Sequence, residues 1–189
     1  MTMHETVWLG RGGQGAFTAA RLLGLSAVRF AGLQAMAFPA FGPERRGAPV
    51  FAYTRIDTGP IHNRSAVRQA AAAVIMDASL PAQVSTAFLS AQTLSIIDAE
   101  DAEDAVPLTL PGRILRIPAK RIAREVLGAD HTNTVLLGAL IGATGLLPQH
   151  AVVAGITAEL GTGERGRKNV AAFARGHTLG RQWAGATHE

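Results

Sequence analysis

The densest chemistry in the chain is Gly10-Arg-Gly-Gly-Gln-Gly15. Gly10, Gly12 and Gly15 stand at the G-x-G-x-x-G spacing of a phosphate-binding turn. There, glycines allow a sharp bend, close approach of a phosphate to backbone N–H groups, and tight helix–strand packing. Arg11 would add a positive charge beside such a phosphate. Gly13 and Gln14 complete the loop, Gln14 offering either a side-chain hydrogen bond to a ligand or a cap to the following helix. A glycine turn that serves packing alone uses the same residues, and the spacing does not separate the two readings.

A dinucleotide site also wants an acid at the end of the second strand, for the ribose hydroxyls. Here that stretch, Leu33–Phe38, runs into Pro39 without one, and the next carboxylate is Glu44. Arg45 and Arg46 could instead accept a 2′-phosphate, which keeps a standalone NADP-binding reductase as an alternative. Glu44-Arg45-Arg46 is framed by Gly42-Pro43 and Gly47, a composition that fixes a loop. An arginine so held can clamp a phosphate or carboxylate bidentately, or can simply pair with Glu44. Asn133 is read first as a helix cap, with Thr132 its competitor and a ligand contact as the other role. Asp77 and Asp98 end two apolar runs and are read as caps or turn formers. The six histidines show no metal-ligand spacing, and Ser79 and Ser85 sit in no G-x-S-x-G elbow. No catalytic residue and no metal ligand is therefore assigned.

The elements that would carry these residues alternate. Strands are expected over Thr6–Leu9, Leu33–Phe38, Pro49–Ile56, Ala73–Met76, Leu94–Ile97 and Arg113–Ile117. Helices are expected over Ala16–Ala31, Pro81–Ser90, Ala119–Leu127, Thr132–Thr144, Gln149–Leu160 and Gly166–Arg175. Such alternation argues for a single α/β domain over residues 1–189, a Rossmann-like three-layer fold with a mainly parallel sheet, helices on both faces and a helical C-terminal half. Phe51–Ile56 is expected to pair antiparallel in a local excursion. The acidic run Asp98–Asp104 reads as a solvated loop.

The chain has 189 residues, 48% hydrophobic and 17% charged, which suits one packed domain and excludes disorder. It carries no cysteine, so disulfides, thiol catalysis and Cys-ligated clusters are excluded for this chain. The net charge is +4, with only Lys120 and Lys168 among the 18 basic residues, the rest being arginine. Arg165, Arg167, Lys168, Arg175 and Arg181 could suggest a basic nucleic-acid-binding protein. Sparse aromatic interleaving favours a solvated or subunit-facing helix instead, and no nucleic-acid partner is expected. No apolar run is long enough to span a membrane, and the N-terminus lacks a basic region before an apolar one, so a cytoplasmic location is expected.

Gly10–Gly15 followed by Phe41-Gly-Pro-Glu-Arg-Arg-Gly-Ala-Pro-Val50 resembles the gamma subunit of 2-oxoacid:ferredoxin oxidoreductases, the pyruvate type. Arg55-Ile56, Pro60-Ile61, Arg64, Val74-Ile-Met-Asp77, Asn133–Gly138 and Lys168–Phe173 extend the likeness over nearly the whole chain. The resemblance implies a subunit, inactive alone, of an enzyme that converts a 2-oxoacid and coenzyme A to acyl-CoA, CO2 and two electrons. It implies alpha, beta and delta-type partners that carry thiamine diphosphate, magnesium and iron–sulfur clusters. Ferredoxin or an NAD-linked flavoprotein subunit would accept the electrons. The substrate would be pyruvate, or an aryl or branched 2-oxoacid such as phenylglyoxylate. For this chain it implies support of the alpha subunit and help in holding coenzyme A. Gly10, Arg11, Gly12, Gly13, Gln14, Gly15, Arg45, Arg46 and Asn133 are the residues that could contact it. A positive mean hydropathy of +0.18 suits a chain that buries surface against partners.

Overall fold

The computed structural model describes residues 3–40, 47–100 and 110–186. Six strands form one sheet in the order β2-β3-β1-β4-β5-β6. They are β1 (His4–Arg11), β2 (Gln34–Pro39), β3 (Pro49–Asp57), β4 (Ala72–Ile75), β5 (Leu94–Asp98) and β6 (Arg113–Ile117). Helix α1 (Ala16–Phe30) follows β1. The chain then ends in α2 (Ala119–Leu127), α3 (Asn133–Thr144), α4 (Gln149–Leu160) and α5 (Glu164–Ala186). β1, β4, β5 and β6 run parallel. β3 inserts antiparallel between β1 and β2, as expected for the 51–56 stretch.

Pleating explains the core. In β1, Trp8 points to one face and Val7 and Leu9 to the other, all without exposure, because the strand has neighbours on both sides and cover on both faces. Trp8 meets its polar obligation inside the core. Its indole N–H donates to Thr54 Oγ1 at 3.0 Å, and the Thr54 hydroxyl donates to the Ala20 carbonyl at 3.0 Å.

The face of Trp8 carries every α-helix of the described residues. Ala19, Leu23, Leu136, Leu140, Ile156 and Phe173 all share its cluster. The expectation of helices on both faces is thus corrected. The opposite face is covered by connecting segments, through Val67, Ala70, Leu80, Phe88 and Leu89. The helix expected over Pro81–Ser90 is reduced to a single 3-10 turn, Leu80–Ala82. Beyond it the Thr86 carbonyl accepts the Leu89 N–H, and the Phe88 carbonyl accepts the Ala70 N–H at 2.8 Å. Phe88 and Leu89 are buried by that arrangement, so sheet cover outweighs local helix preference.

Helix α3 is apolar all round and buried from Thr134 to Ile141, sandwiched between the sheet and α5. Helix α5 runs eleven residues past the Gly166–Arg175 expectation, to Ala186. It does so through Gly176 and Gly180, whose missing side chains admit α3: a Cβ on Gly176 would lie 1.9 Å from the Val135 carbonyl oxygen. Gly138 and Gly142 of α3 return the arrangement against Phe173 and His177.

Candidate functional site: a cleft at three helix N-termini

β1 and β4 are parallel neighbours, so the residues following their C-terminal ends lie side by side. From β1 emerges the glycine loop. Arg11 N–H donates to Gln14 Oε1 at 2.6 Å, Gln14 N–H to the Arg11 carbonyl at 2.9 Å, and Gly12 N–H to the Ala48 carbonyl at 2.9 Å. Gln14 thereby closes the loop on itself. Gly10 is the close-approach glycine: a Cβ there would press on Gln14, on Met76 Sδ at 3.3 Å and on Ala16. Gly15 caps α1 in the left-handed region (φ 83°) and gives the first-turn N–H groups of α1 no side-chain acceptor.

The loop opens on a cleft of about 530 Å³, a size that fits a cofactor fragment. Gly13, Gln14, Gly15 and Thr18 form one wall, and Asn133, Arg165, Lys168 and Asn169 form the other, with Leu22 and Leu160 as apolar lining. The N-termini of α1, α3 and α5 therefore converge here. Asn133, expected as a cap, accepts the Thr134 N–H at 3.0 Å through Oδ1, while its amide lies over Gly15. Thr132 occupies the N-cap position of α3 but makes no side-chain cap bond. The buried Thr134 hydroxyl donates to Asn169 Oδ1 at 3.0 Å, and Asn169 Nδ2 donates to the Arg165 carbonyl at 2.9 Å. This chain of bonds locks the start of α5 to the start of α3.

Two cations face the cleft. Lys168 pairs with Glu164 at 2.8 Å across one helical turn, holding the Glu164 carboxyl below its usual range. Both side chains are about half exposed or more, so the pair is weak. The Arg165 guanidinium has no ion-pair partner among the described residues. Sequence reasoning places both residues on a solvated or subunit-facing helix, outside the site. The signal was present in the i, i+3, i+4 spacing of Arg165, Lys168 and Asn169, which puts all three on one face of α5.

Arg11 is placed differently from its sequence reading. Its Nε donates to Asp77 Oδ2 at 2.6 Å, Nη2 to Ser79 Oγ at 2.8 Å and Nη1 to the Gly47 carbonyl at 3.1 Å. It does not line the cleft. Asp77, read as a turn former, makes that turn: Oδ1 accepts the Ser79 N–H at 3.0 Å and the Ser79 hydroxyl at 2.5 Å. Burial works against its charge, but the Ser79 hydroxyl and the Arg11 guanidinium outweigh it and hold the Asp77 carboxyl below the ordinary range. Asp98, at the end of β5, caps α2 by accepting the Lys120 N–H at 3.2 Å. Arg45 and Arg46, with Glu44, lie outside the described residues, as does most of the 98–104 acidic run.

Residues 5–179 match the family model described as pyruvate ferredoxin/flavodoxin oxidoreductase. The chain is 41% identical over 174 residues to the Thermococcus kodakarensis pyruvate/ketoisovalerate oxidoreductases common subunit gamma, spanning 90% of this chain and 93% of that one. It is 39% identical over 155 residues to the pyruvate synthase subunit PorC of Methanosarcina barkeri, spanning 79% and 85%. The crystal structure of the pyruvate oxidoreductase subunit PORC from Thermotoga maritima superposes with a TM-score of 0.80 at 32% identity, covering 94% of this chain and 97% of that one.

Proposed function

Because this chain belongs to the pyruvate ferredoxin/flavodoxin oxidoreductase family, as a gamma subunit of a pyruvate or 2-oxoacid oxidoreductase, we propose that its cleft holds the phosphates of coenzyme A for acyl transfer. The convergence of three helix N-termini with Arg165 and Lys168 carries this reading. Helix N-termini and cations both favour multiply charged anions, and a pyrophosphate can approach the backbone at Gly13, where a Cβ would meet nothing within 4 Å. Leu22 and Leu160 supply apolar surface for the less polar parts of the ligand.

The chain's contribution is positional. Fixing the cofactor by its phosphates lets the thiol end reach the acyl group on the partner subunits at high effective concentration, a large share of a rate enhancement in such systems. Thiamine diphosphate with magnesium, when bound on the alpha and beta subunits, would supply the carbanion chemistry of decarboxylation. Iron–sulfur clusters belong on beta and delta-type subunits, since this chain has no cysteine to ligate them. Ferredoxin or an NAD-linked flavoprotein subunit receives the electrons. The 2-oxoacid is pyruvate or a branched or aryl relative such as phenylglyoxylate, selected by residues of the partner subunits, and the assembly works in the cytoplasm. Arg45 and Arg46 remain proposed contacts to coenzyme A or to the alpha subunit.

The test uses the assembled enzyme carrying Arg165→Ala or Lys168→Ala. Losing one charge-assisted hydrogen bond, worth about 1.5–3 kcal/mol, raises the KM for coenzyme A about 10- to 100-fold. Coenzyme-A-independent decarboxylation of the 2-oxoacid stays near wild type. Equal loss of both activities would place these residues in assembly and refute the reading.

A further inference from the structure

Arg11 has the charge and the loop position of a phosphate ligand, yet its guanidinium is engaged elsewhere. Three of its N–H groups are taken, by the Asp77 carboxylate, the Ser79 hydroxyl and the Gly47 carbonyl. These three partners come from two other segments of the chain: the turn after β4 and the entry to β3. The same entry is tied to the loop a second time, since Gly12 N–H donates to the Ala48 carbonyl at 2.9 Å. Asp77 is in turn held by both the N–H and the hydroxyl of Ser79. The ion pair is largely shielded, with side-chain exposures of 29% for Arg11 and 20% for Asp77. A shielded arginine whose three nitrogens each reach a different partner, one of them a carboxylate, has a fixed geometry that a surface pair lacks.

We infer that Arg11 is a positioning residue, not a phosphate ligand: with Asp77 as its counter-ion it braces the glycine loop against the turn after β4 and the start of β3, so that the Gly13–Gly15 backbone keeps the shape that receives the cofactor's phosphates. The inference rests on the coenzyme A reading of the cleft for its effect on binding, and on the contacts above for the brace itself. The mechanism is mechanical. Arg11 immediately precedes Gly12 and Gly13, which have no side chains of their own, so the guanidinium restrains them from the β1 side together with the Gly12 N–H bond to Ala48. A phosphate ligand and a brace respond oppositely when the carboxylate is removed. Asp77→Asn frees an arginine that binds phosphate, which leaves or improves affinity. The same change loosens a brace, which weakens it.

The experiment compares Asp77→Asn, Arg11→Lys, Arg11→Ala and the Arg11→Ala/Asp77→Asn double variant in the assembled oxidoreductase. Two readouts are taken: steady-state KM and kcat for coenzyme A, and hydrogen–deuterium exchange of the peptide containing Gly12–Gly15. The expected result is faster exchange in Asp77→Asn and Arg11→Ala alike. KM should rise about tenfold in each, more than kcat falls, with the double variant no worse than Arg11→Ala. Arg11→Lys, which keeps the charge without the guanidinium's reach to three partners, should recover only part of the loss. Unchanged exchange in Asp77→Asn overturns the brace. An unchanged or lowered KM in Asp77→Asn beside a raised KM in Arg11→Ala makes Arg11 a ligand and also overturns it. Faster exchange with KM unmoved in these variants and in Lys168→Ala upholds the brace and overturns the coenzyme A reading instead.

Discussion

The side-chain amide of Asn133 fills the space that a side chain on Gly15 would need: a Cβ there would stand 2.9 Å from Asn133 Nδ2. The last glycine of the loop and the first residue of α3 are 118 positions apart in sequence, yet each fixes the shape of the cleft against the other. Gly15 is constrained twice, by this neighbour and by its left-handed backbone at φ 83°.

Gly15→Ala should therefore cost about 1–2 kcal/mol from backbone conformation alone. It should also displace the Asn133 amide from the cleft wall. A lowered thermal midpoint together with a raised KM for coenzyme A is the expected pair of outcomes. A midpoint drop with unaltered KM would detach Asn133 from the ligand site.

The α3–α5 contact offers a test of packing without any ligand. In Gly176→Ala the new methyl would fall 1.9 Å from a backbone oxygen of Val135, which cannot swing aside as a side chain would. Overpacking of this kind costs about 1–3 kcal/mol or more. Gly185→Ala on the same helix has open space around it and should be neutral or slightly stabilising, by up to about 1 kcal/mol. Denaturant midpoints of the two variants decide the matter, and equal shifts would contradict it.

Asp98 gives a pH dependence with a defined sign. Burial pushes its carboxyl up to about 6, against the opposing pull of the Lys120 N–H, and Oδ2 has no hydrogen-bond partner among the described residues. The native chain thus keeps a proton that the unfolded chain releases near pH 4. Stability contributed at this site falls as pH rises from about 4 to 6, by on the order of 3 kcal/mol, and changes no further above that. Asp98→Asn retains the oxygen that caps α2 and removes the titration. Its unfolding free energy relative to wild type should climb across pH 4–6 and then level off; a difference constant with pH would contradict this.

Salt should act on the cleft because Lys168 is half exposed. At about 0.1 M ionic strength the screening length is about 10 Å, so exposed cations lose much of their pull on a distant phosphate. The KM for coenzyme A is expected to rise with added NaCl in the wild-type assembly. Arg165→Ala and Lys168→Ala should each flatten that dependence. A slope identical in all three would place the two cations away from the ligand.

Much of the scaffold was legible in the residues. The glycine spacing between a β-rich run and an amphipathic helix marked the loop, and the apolar runs at 73–76, 94–97 and 113–117 became β4, β5 and β6 within one residue at each end. These signals are local: a strand buried on both faces reads as a continuous apolar run wherever it sits. The two misread helices show the opposite case. Pro81 and the polar residues after it were compatible with a helix, but Phe88 and Leu89 are drawn onto the sheet face and the segment folds around them. The expected end of α5 at Arg175 falls just before Gly176, and glycine disfavours a helix in isolation. What keeps α5 helical there is contact with α3, invisible to any local rule.

The sequence by itself determined the strand–helix alternation, the glycine loop between β1 and α1 and, through long motif likeness, the family. These depend on periodicity, glycine conformation and residue order, all readable along one dimension. Only the tertiary structure decided what each charge does. Parallel pairing of β1 with β4 brought Asp77 to Arg11 and turned an apparent ligand into a tether. The packing of α5 on α3 carried Arg165 and Lys168, some 150 residues downstream, to the loop. A guanidinium's role is set by which carboxylate or phosphate lies within hydrogen-bond reach, and that distance exists only once the chain has closed on itself.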